Sequence, residues 1–367
     1  MLGSMQADRI RLSNLDNRIR KIERSLFALR TERSQVKERL DAYKYPVLTL
    51  PNELISELFI HFLPIYPAAP PLTGLASPTT LTHVCRRWRE VALATPALWR
   101  AIRLHYTYEH EMDIPYRFNQ MNISDAWIRR SKSFPLSIDV DICHPDVMRK
   151  IFTETLTMAA TRWEYVRMRG VAPLPFLDTG RPTMPLLRSL YLGLRVSNNI
   201  FAFPDVPQLC TVHLTGVMAG SNVTLPWAQL TRLTLYYVGI NRCVSILRQT
   251  ANLVRCSLTI YSSQSESLDF LGSDVALPHL EFLSLETTTH WQPVDGFLSS
   301  FVVPSLQRLK LKEIFLGAEP ILALEVFVAK SRCRLQQLGI IAPEEDAHIE
   351  RYRLAFPSIS VFHCYGP

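Results

Sequence analysis

The amino-acid sequence predicts an α/β protein built from three successive parts: an N-terminal coiled-coil helix, a small all-α bundle, and a solenoid with a parallel β-sheet on its concave face. Three observations predict this order. An apolar heptad runs through residues 1–45, two short amphipathic helical stretches lie within residues 46–100, and a leucine-containing unit recurs within residues 135–367. We expect residues 101–134 to form a linker region before the solenoid, in which IRLHYTY (102–108) looks like a strand and ISDAWIRRSKSF (123–134) like a short amphipathic helix.

The first predicted element is one long helix over residues 1–45. Its apolar residues alternate at spacings of three and four, as in a coiled coil, and neither proline nor glycine interrupts them. Arg33 is the exception among otherwise apolar or aromatic positions. This set, called the seam below, consists of Leu12, Leu15, Ile19, Ile22, Leu26, Leu29, Arg33, Val36, Leu40 and Tyr43.

Charged residues beside the seam indicate a partner helix of the same sequence. Three pairs stand five residues apart and carry opposite charge: Arg11 with Asp16, Arg18 with Glu23, and Glu32 with Lys37. This is the spacing at which the two helices of a parallel coiled coil form salt bridges. We therefore expect a parallel homodimer through residues 12–43. Packing of the seam on the protein's own body is the alternative.

Residues 46–100 contain two amphipathic stretches separated by a proline-rich loop, residues 64–78. In LPNELISELFIHFL (50–63), Pro51 and Glu53 suit a first helical turn, and an apolar face comprises Leu54, Ile55, Leu58, Phe59 and Phe62. In THVCRRWREVALATPALW (82–99), Pro96 ends a helix whose apolar stripe comprises Val84, Cys85, Trp88, Val91 and Ala92. In so small a bundle, such a stripe is either core or a surface for another protein.

From residue 185 onward the sequence repeats one unit, x-x-L-x-x-apolar-x-apolar. The copies are PLLRSLYL (185–192), PQLCTVHL (207–214), AQLTRLTL (228–235), ANLVRCSL (251–258), PHLEFLSL (278–285), PSLQRLKL (304–311) and CRLQQLGI (333–340). They recur about every 25 residues, within the period of leucine-rich repeats. The alternating end of each unit predicts a short strand. We expect PLSIDVDI (135–142) to start the strand series, FPSISVF (356–362) to end it, and the segments between units to form outer helices or turns.

Alternation along these strands predicts which side chains leave the core. If Leu190 and Leu192 are buried, Tyr191 points outward. By the same parity, the outward residues are His213, Thr234, Ser257, Ser284 and Lys310, then Thr215, Tyr236, Thr259, Glu286 and Lys312, and on earlier strands Asp139, Asp141, Arg167 and Arg169. Because tyrosine is favoured at binding hot spots, we expect Tyr191, His213 and Tyr236 to carry binding. A merely solvated sheet is the alternative.

Residues 50–99 resemble an F-box. The elements that carry the resemblance occur in order: Leu50-Pro51, Glu53-Leu54, Leu58-Phe59, Leu63, Leu81, Val84-Cys85, Trp88, Val91-Ala92, Pro96 and Leu98-Trp99. The proline-rich loop is several residues longer than in the compact family pattern. A leucine-rich-repeat solenoid behind an F-box is a familiar pairing.

The resemblance implies an adaptor without chemistry of its own. It would dock onto the Skp-family linker of a cullin-RING ubiquitin ligase and present a protein substrate on its C-terminal domain. The implied linker contacts are at least some of Leu50, Pro51, Leu54, Ile55, Leu58, Val84, Cys85 and Trp88. Tyr191, His213 and Tyr236 would then be substrate contacts. A protein-binding scaffold that acts outside a ligase is the alternative.

Composition and charge exclude several other classes. The chain has 367 residues, of which 47% are hydrophobic and 20% charged, as in globular proteins. Of the net charge of +7, residues 1–45 carry +5, and we expect no nucleic-acid partner. No apolar run is long enough to cross a bilayer, and the first residues are too polar for a signal peptide. We therefore expect a soluble protein of the cytoplasm, the nucleus or both.

The sequence contains no motif that indicates catalysis or metal binding. The seven cysteines are scattered and never form CxxC, so reduced, mostly buried thiols are expected. His105 and His110 stand five apart, which suits no common zinc site. Phosphate-binding and dinucleotide-binding glycine motifs and the GxSxG motif are missing. We expect neither a cofactor nor an enzyme; an unrecognised enzyme is the remaining alternative.

Overall fold

The computed structural model describes most of the chain. The described residues are 2–42, 49–106, 114–142, 156–171, 183–195, 201–203, 205–216, 223–261, 274–288, 296–341 and 346–363. Their contacts divide the chain into two compact units, residues 1–58 and 59–367, and the division falls within the second helix. The domain boundaries given above remain predictions.

The first unit contains the predicted long helix. Helix α1 spans Leu2–Ala42 without a break, and every described side chain on it is exposed. The exposed set includes the apolar seam from Leu12 to Leu40, whereas Tyr43 lies outside the described residues. Helix α2, Asn52–Phe62, starts in this unit directly after Pro51. The seam therefore lies on a continuous helix, as a coiled coil requires, and its described side chains are accessible to a partner.

Two further helices complete the predicted helical region. Helix α3 spans Pro78–Val84; the Ser77 hydroxyl caps it by accepting a hydrogen bond from the Thr79 amide. Helix α4 spans Arg86–Ala94, and the Cys85 sulfur accepts from the Trp88 amide at its start. A 3₁₀ turn, Pro96–Trp99, then leads into the first strand. Both α3 and the 3₁₀ turn have proline in the first turn, where a backbone amide would have no hydrogen-bond acceptor within the helix.

In the described residues from 101 onward, fifteen strands and four further helices follow. The strands are β1 Ala101–Tyr106, β2 Leu136–Ile142, β3 Trp163–Val171, β4 Ser189–Arg195, β5 Phe201–Ala202, β6 Thr211–Thr215, β7 Val223–Thr224, β8 Arg232–Val238, β9 Arg255–Ile260, β10 Val275–Ala276, β11 Phe282–Thr287, β12 Phe301–Val302, β13 Arg308–Lys312, β14 Gln337–Ile341 and β15 Ser360–His363. The helices are α5 Ile114–Arg130, α6 Ile240–Leu247, α7 Pro320–Ser331 and α8 Asp346–Ala355.

Eleven strands form one sheet, in the order β1-β2-β3-β4-β6-β8-β9-β11-β13-β14-β15, and all neighbours pair in parallel. The remaining strands form two-stranded sheets, β5 with β7 and β10 with β12. An α/β fold with a long N-terminal helix and such a sheet is consistent with a leucine-rich-repeat-like solenoid. The predicted fold class is therefore confirmed.

The repeated leucines form the core as predicted. The two apolar residues at the end of each unit are buried on one face of the sheet, from Leu190 and Leu192 on β4 to Leu338 and Ile340 on β14. The leucine at the third position of each unit is buried as well, at residues 187, 209, 230, 253, 280, 306 and 335. Each unit thus buries three apolar side chains, so successive units share one continuous core.

The strand series starts one strand earlier than the sequence predicts. β1 lies in residues 101–134, interpreted above as a linker region, and pairs with β2 from Ala101 opposite Ser137 to Tyr106 opposite Ile142. Ile102 and Leu104 are buried while Arg103 and His105 are exposed, so β1 repeats the alternation of the later strands. The predicted last strand is confirmed as β15, and two of the predicted outer segments form α6 and α7.

Candidate functional site

The prediction of one helical stripe from Val84 to Ala92 was wrong, because the extended backbone of Cys85 ends α3 and precedes α4. The second half of the stripe, on α4, belongs to the protein core. Val91 and Ala92 are buried, and the Trp99 ring nitrogen donates a hydrogen bond of 3.0 Å to the Ala92 carbonyl. Trp99 is fully buried and meets Trp127 of α5 edge to face, with ring centroids 5.5 Å apart. This part of the stripe therefore joins α4 to the start of the sheet and leaves nothing for a partner.

The predicted linker contacts separate into exposed and buried residues. On α2, Leu54 and Leu58 are 51% and 53% exposed and share a helix face, because they stand four residues apart. Ile55, by contrast, is fully buried. Among the other predicted contacts, Val84 is 57% exposed, Pro51 is exposed, and Leu50 and Cys85 are partly buried. The exposed members are the ones available to a partner without rearrangement.

Trp88 occupies an intermediate position. Its ring packs edge to face on Phe59 at a centroid distance of 5.0 Å, which fixes its orientation on α4. Its ring nitrogen is buried, and within the described part of the chain it has no hydrogen-bond acceptor. Trp88 is therefore held in place by Phe59 and is only partly exposed.

The proline-rich loop is fixed to the first strands of the sheet. The Tyr66 hydroxyl donates to Glu164 at 2.9 Å, and the Ser137 hydroxyl donates to the Pro67 carbonyl at 2.7 Å. The Arg100 guanidinium lies 3.8 Å from the centroid of the Tyr66 ring. Burial and the hydrogen bond to Glu164 raise the pKa of Tyr66. These contacts hold the loop against β2 and β3.

This loop also forms one wall of a cavity of about 420 Å³. The opposite wall is the sheet face that carries the predicted outward residues, called the open face below; Arg103, Asp139, Arg167, Tyr191 and His213 line the cavity there. The sequence pattern did not reveal this cavity, because the approach of the loop to the strands depends on contacts between residues far apart in sequence.

Two of the three predicted substrate contacts touch each other on the open face. Tyr191 and His213 are register partners on β4 and β6, and their rings stack with centroids 5.8 Å apart. Gly193 makes room for this arrangement, since a Cβ there would stand 3.2 Å from the Tyr191 ring and 2.7 Å from the Thr215 hydroxyl. Burial and the nearby Arg167 guanidinium lower the pKa of His213. The pair is therefore a neutral aromatic patch at neutral pH.

Tyr236, the third predicted contact, belongs to a separate aromatic cluster. It pairs in register with Thr215 and Thr259, one row further along the strands, and is 48% exposed. Tyr237 has a positive φ of 68° where the register of β8 shifts, and it stacks on Tyr261 at 4.9 Å. Tyr236, Tyr237 and Tyr261 form this exposed cluster, of which the sequence pattern predicted only Tyr236.

The charges at the ends of the open face are largely paired. Asp139 lies 3.1 Å from Arg103 and 3.7 Å from Arg169, and Asp141 lies 3.2 Å from Arg169. Lys310 and Glu286 form an ion pair of 3.1 Å near the other end. Such pairs leave little net charge for a ligand to recognise.

Two predicted outward residues are less exposed than their parity suggested. Ser284 has the predicted direction, in register between Ser257 and Lys310, but is only 6% exposed. Asp139 is buried beneath the two arginines that pair with it. Parity fixes the face of the sheet but not how far a side chain is exposed, and so the prediction of exposure was wrong for these two residues.

Sequence reasoning missed a row of arginines on the open face. Arg232, Arg255, Phe282 and Arg308 follow one another in register on β8, β9, β11 and β13. They line a second cavity of about 230 Å³ together with His213, Thr234 and Ser257. Aligning the seven repeated units with one another could have revealed this row, because the fifth position of the unit is arginine in three of the seven copies.

Comparisons with known proteins add no assignment to this geometry. No model of a known protein family matches the chain, and a search of curated proteins finds no similar sequence.

Metal ligands and reactive thiols are the next features to consider among the described residues. They contain no cluster of three or more histidine, cysteine or acidic side chains that could hold a metal ion. The cysteines described are free thiols, and burial raises the pKa of Cys256 to about 12. Of the helices that the structure describes, none combines the length and apolar character needed to cross a membrane.

Proposed function

We propose that this protein is the substrate receptor of an SCF-type ubiquitin ligase. The observation that carries the proposal is the F-box-like order of apolar residues within 50–99, followed by a leucine-rich-repeat-like sheet. The exposure of Leu54, Leu58 and Val84 supports it, because covering large apolar side chains with a partner removes apolar surface from water, which favours binding. The partner is a Skp-family linker and, through it, a cullin of the cytoplasm or nucleus.

The receptor acts by proximity and needs no catalytic residue. The linker fixes one end of the chain to the ligase while the sheet domain holds a protein substrate. This arrangement raises the concentration of substrate lysines near the ubiquitin-charged enzyme. The proposal therefore assigns different roles to two regions of the chain. Residues 50–99 dock onto the linker, and the open face selects the substrate.

Substrate selection is assigned to Tyr191, His213 and Tyr236. The Tyr191–His213 stack and the tyrosine cluster that contains Tyr236 present aromatic area beside polar groups, which is typical of hot spots. Alanine at all three positions should leave linker binding intact and remove substrates in a proximity-labelling comparison. An unchanged set of labelled proteins, with the fold confirmed by circular dichroism, would place substrate binding on another surface.

Dimerisation through α1 forms part of the proposal. A second copy is the occupant that the seam fits best, because the pairs Arg11–Asp16, Arg18–Glu23 and Glu32–Lys37 complement each other between identical parallel helices. A dimeric receptor engages two substrate segments at once and gains avidity without new contacts.

A scaffold that binds proteins outside a ligase is the alternative. The two functions differ in one result. If the tagged full chain co-purifies with a Skp-family linker and a cullin at near-equal amounts, the receptor function is supported. If neither accompanies a chain that still captures other proteins, the scaffold function replaces it.

A further inference from the structure

The row of arginines on the open face stands out because two of its members have no counter-ion among the described residues. Arg232 and Arg255 are direct register partners on neighbouring strands, about 5 Å apart at the backbone. In the part of the chain that the structure describes, no carboxylate forms an ion pair with either. Like charges side by side repel each other, so the free protein holds an arrangement that an anion would stabilise.

The cavity at these arginines has the donors that an oxyanion requires. Arg232, Arg255 and Arg308 supply guanidinium groups, and Thr234 and Ser257 supply hydroxyls two residues further along the same strands. Guanidinium groups bind carboxylates and phosphates through paired, charge-assisted hydrogen bonds. The cavity, of about 230 Å³, is open to a group carried by a larger molecule.

The neighbouring cavity extends this site across the sheet. His213 lines both cavities, and the first adds Arg167, whose guanidinium lies 5.4 Å from the centroid of the Tyr191 ring. From β3 to β13 the sheet makes six steps. At about 4.8 Å per step, this is about 29 Å, the length of eight or nine residues in extended conformation. The groove thus suits an extended peptide that crosses the strands.

We propose that the open face binds an acidic or phosphorylated protein segment whose oxyanion sits between Arg232, Arg255 and Arg308. Single-stranded nucleic acid fits less well in these two cavities, because it needs free aromatic faces for base stacking. Here Arg308 lies over the Phe282 ring, and Tyr191 is already stacked on His213. The inference rests on the substrate-receptor proposal for the ligand being a protein segment; the anion site itself does not require a ligase.

The test uses the immobilised full chain and three degenerate libraries of eleven-residue peptides. Their central residue is phosphoserine, glutamate or serine. We expect the chain to retain the phosphoserine library, the glutamate library or both about tenfold more than the serine library, and salt to weaken this retention. Retention of the phosphoserine library alone identifies phosphate as the source of the oxyanion, and retention of both anionic libraries shows that a carboxylate suffices.

The variant Arg232→Gln with Arg255→Gln should reduce retention of the anionic libraries to the serine level. The matched control, Arg20→Gln with Arg24→Gln, removes the same charge from exposed positions of α1 outside the seam and should bind like the wild type. Thermal melting of both variants monitors folding, and their linker binding is measured in parallel. If the wild type does not bind the linker, the receptor function is contradicted but the anion site is not.

Three results would overturn the proposal: equal retention of all three libraries by the wild type, unchanged retention by the Arg232/Arg255 variant, or displacement of the phosphoserine library by a twelve-nucleotide oligouridylate at a lower concentration than by the phosphopeptides themselves.

Discussion

The exposed helices and the open face of the sheet differ in what they leave uncovered. Helices α1 and α2 expose large apolar side chains, among them most of the coiled-coil seam and Leu54. The open face exposes tyrosines, hydroxyls and arginines, and most of its acidic groups are paired. Both surfaces have the geometry of a binding site, yet they give different kinds of evidence for a partner.

Apolar exposure is the stronger evidence. Each square ångström of apolar surface left in water forgoes about 25 cal/mol, so a row of exposed leucines and isoleucines on one helix favours a partner. Polar side chains on a strand are stable in water without one. For the sheet, the evidence for a partner is therefore narrower. It consists of Arg232 and Arg255, which lack counter-ions in the described part of the chain, and of the exposed tyrosine cluster.

The largest expected effect concerns the seam. Ile19→Asp with Ile22→Asp places four carboxylates in the core of a dimer, so we expect the dissociation constant to rise about a thousandfold or more. Sedimentation equilibrium of the full chain measures it. Asn17→Asp with Arg24→Asp, which lie outside the seam, should leave the dimer intact. A wild-type chain that is monomeric at micromolar concentration would contradict dimerisation through the seam.

Orientation of the two helices sharpens this prediction. In a parallel dimer Arg33 meets its own copy, and the like charges repel. Arg33→Leu should therefore tighten the dimer by about tenfold or more. In a parallel dimer Leu12→Cys lies beside its copy and should form an interchain disulfide under mild oxidation, whereas an antiparallel pair would separate the two cysteines.

The next effect compares a buried ring with an exposed one. Trp99→Ala removes a fully buried ring and its hydrogen bond to Ala92, so the free energy of unfolding should fall by about 3–5 kcal/mol. Tyr236→Ala on the open face should change it by less than about 0.5 kcal/mol. Urea denaturation monitored by circular dichroism measures both. Equal losses would mean that the tyrosine cluster is structural.

The smallest effect is a pH dependence on the open face. Because burial and Arg167 lower the pKa of His213, the unfolded chain binds a proton that the folded chain resists between the two pKa values. Its contribution to stability is therefore complete above about pH 6.5 and declines as the pH falls below that value. His213→Gln should reduce the difference in urea midpoint between pH 8 and pH 5. An unchanged difference would contradict the assignment.

The sequence predicted the elements whose pattern is local. The period of two in each repeat was enough to place Leu190 and Leu192 in the core and Tyr191 on the opposite face, and the heptad was enough to predict α1. Only the structure divided the predicted helical stripe between core and exposed surface. Val91 and Ala92 are buried beside Trp99, and Trp99 in turn packs on Trp127, a contact that no local sequence pattern predicts.

What the sequence could not predict depends on neighbours across the sheet. The parity of Ser284 was right, but parity does not determine burial, and Ser284 is only 6% exposed. The arginines at 232, 255 and 308 are adjacent only through strand register, although their shared position in the repeat was visible. β1 escaped the repeat alignment because its segment lacks the leading leucine of the unit.

The central claim is that residues 50–99 dock onto a Skp-family linker, and calorimetric titration of the purified full chain with the purified linker tests it most directly. The account predicts a saturable complex that Leu54→Asp weakens by at least about a hundredfold, because the charge would be buried against an apolar surface. Leu322→Asp on α7 is the matched control, since Leu322 is 55% exposed against 51% for Leu54, and it should bind like the wild type. No detectable complex with the wild type, or equal affinity for Leu54→Asp and Leu322→Asp in folded proteins, would contradict the claim.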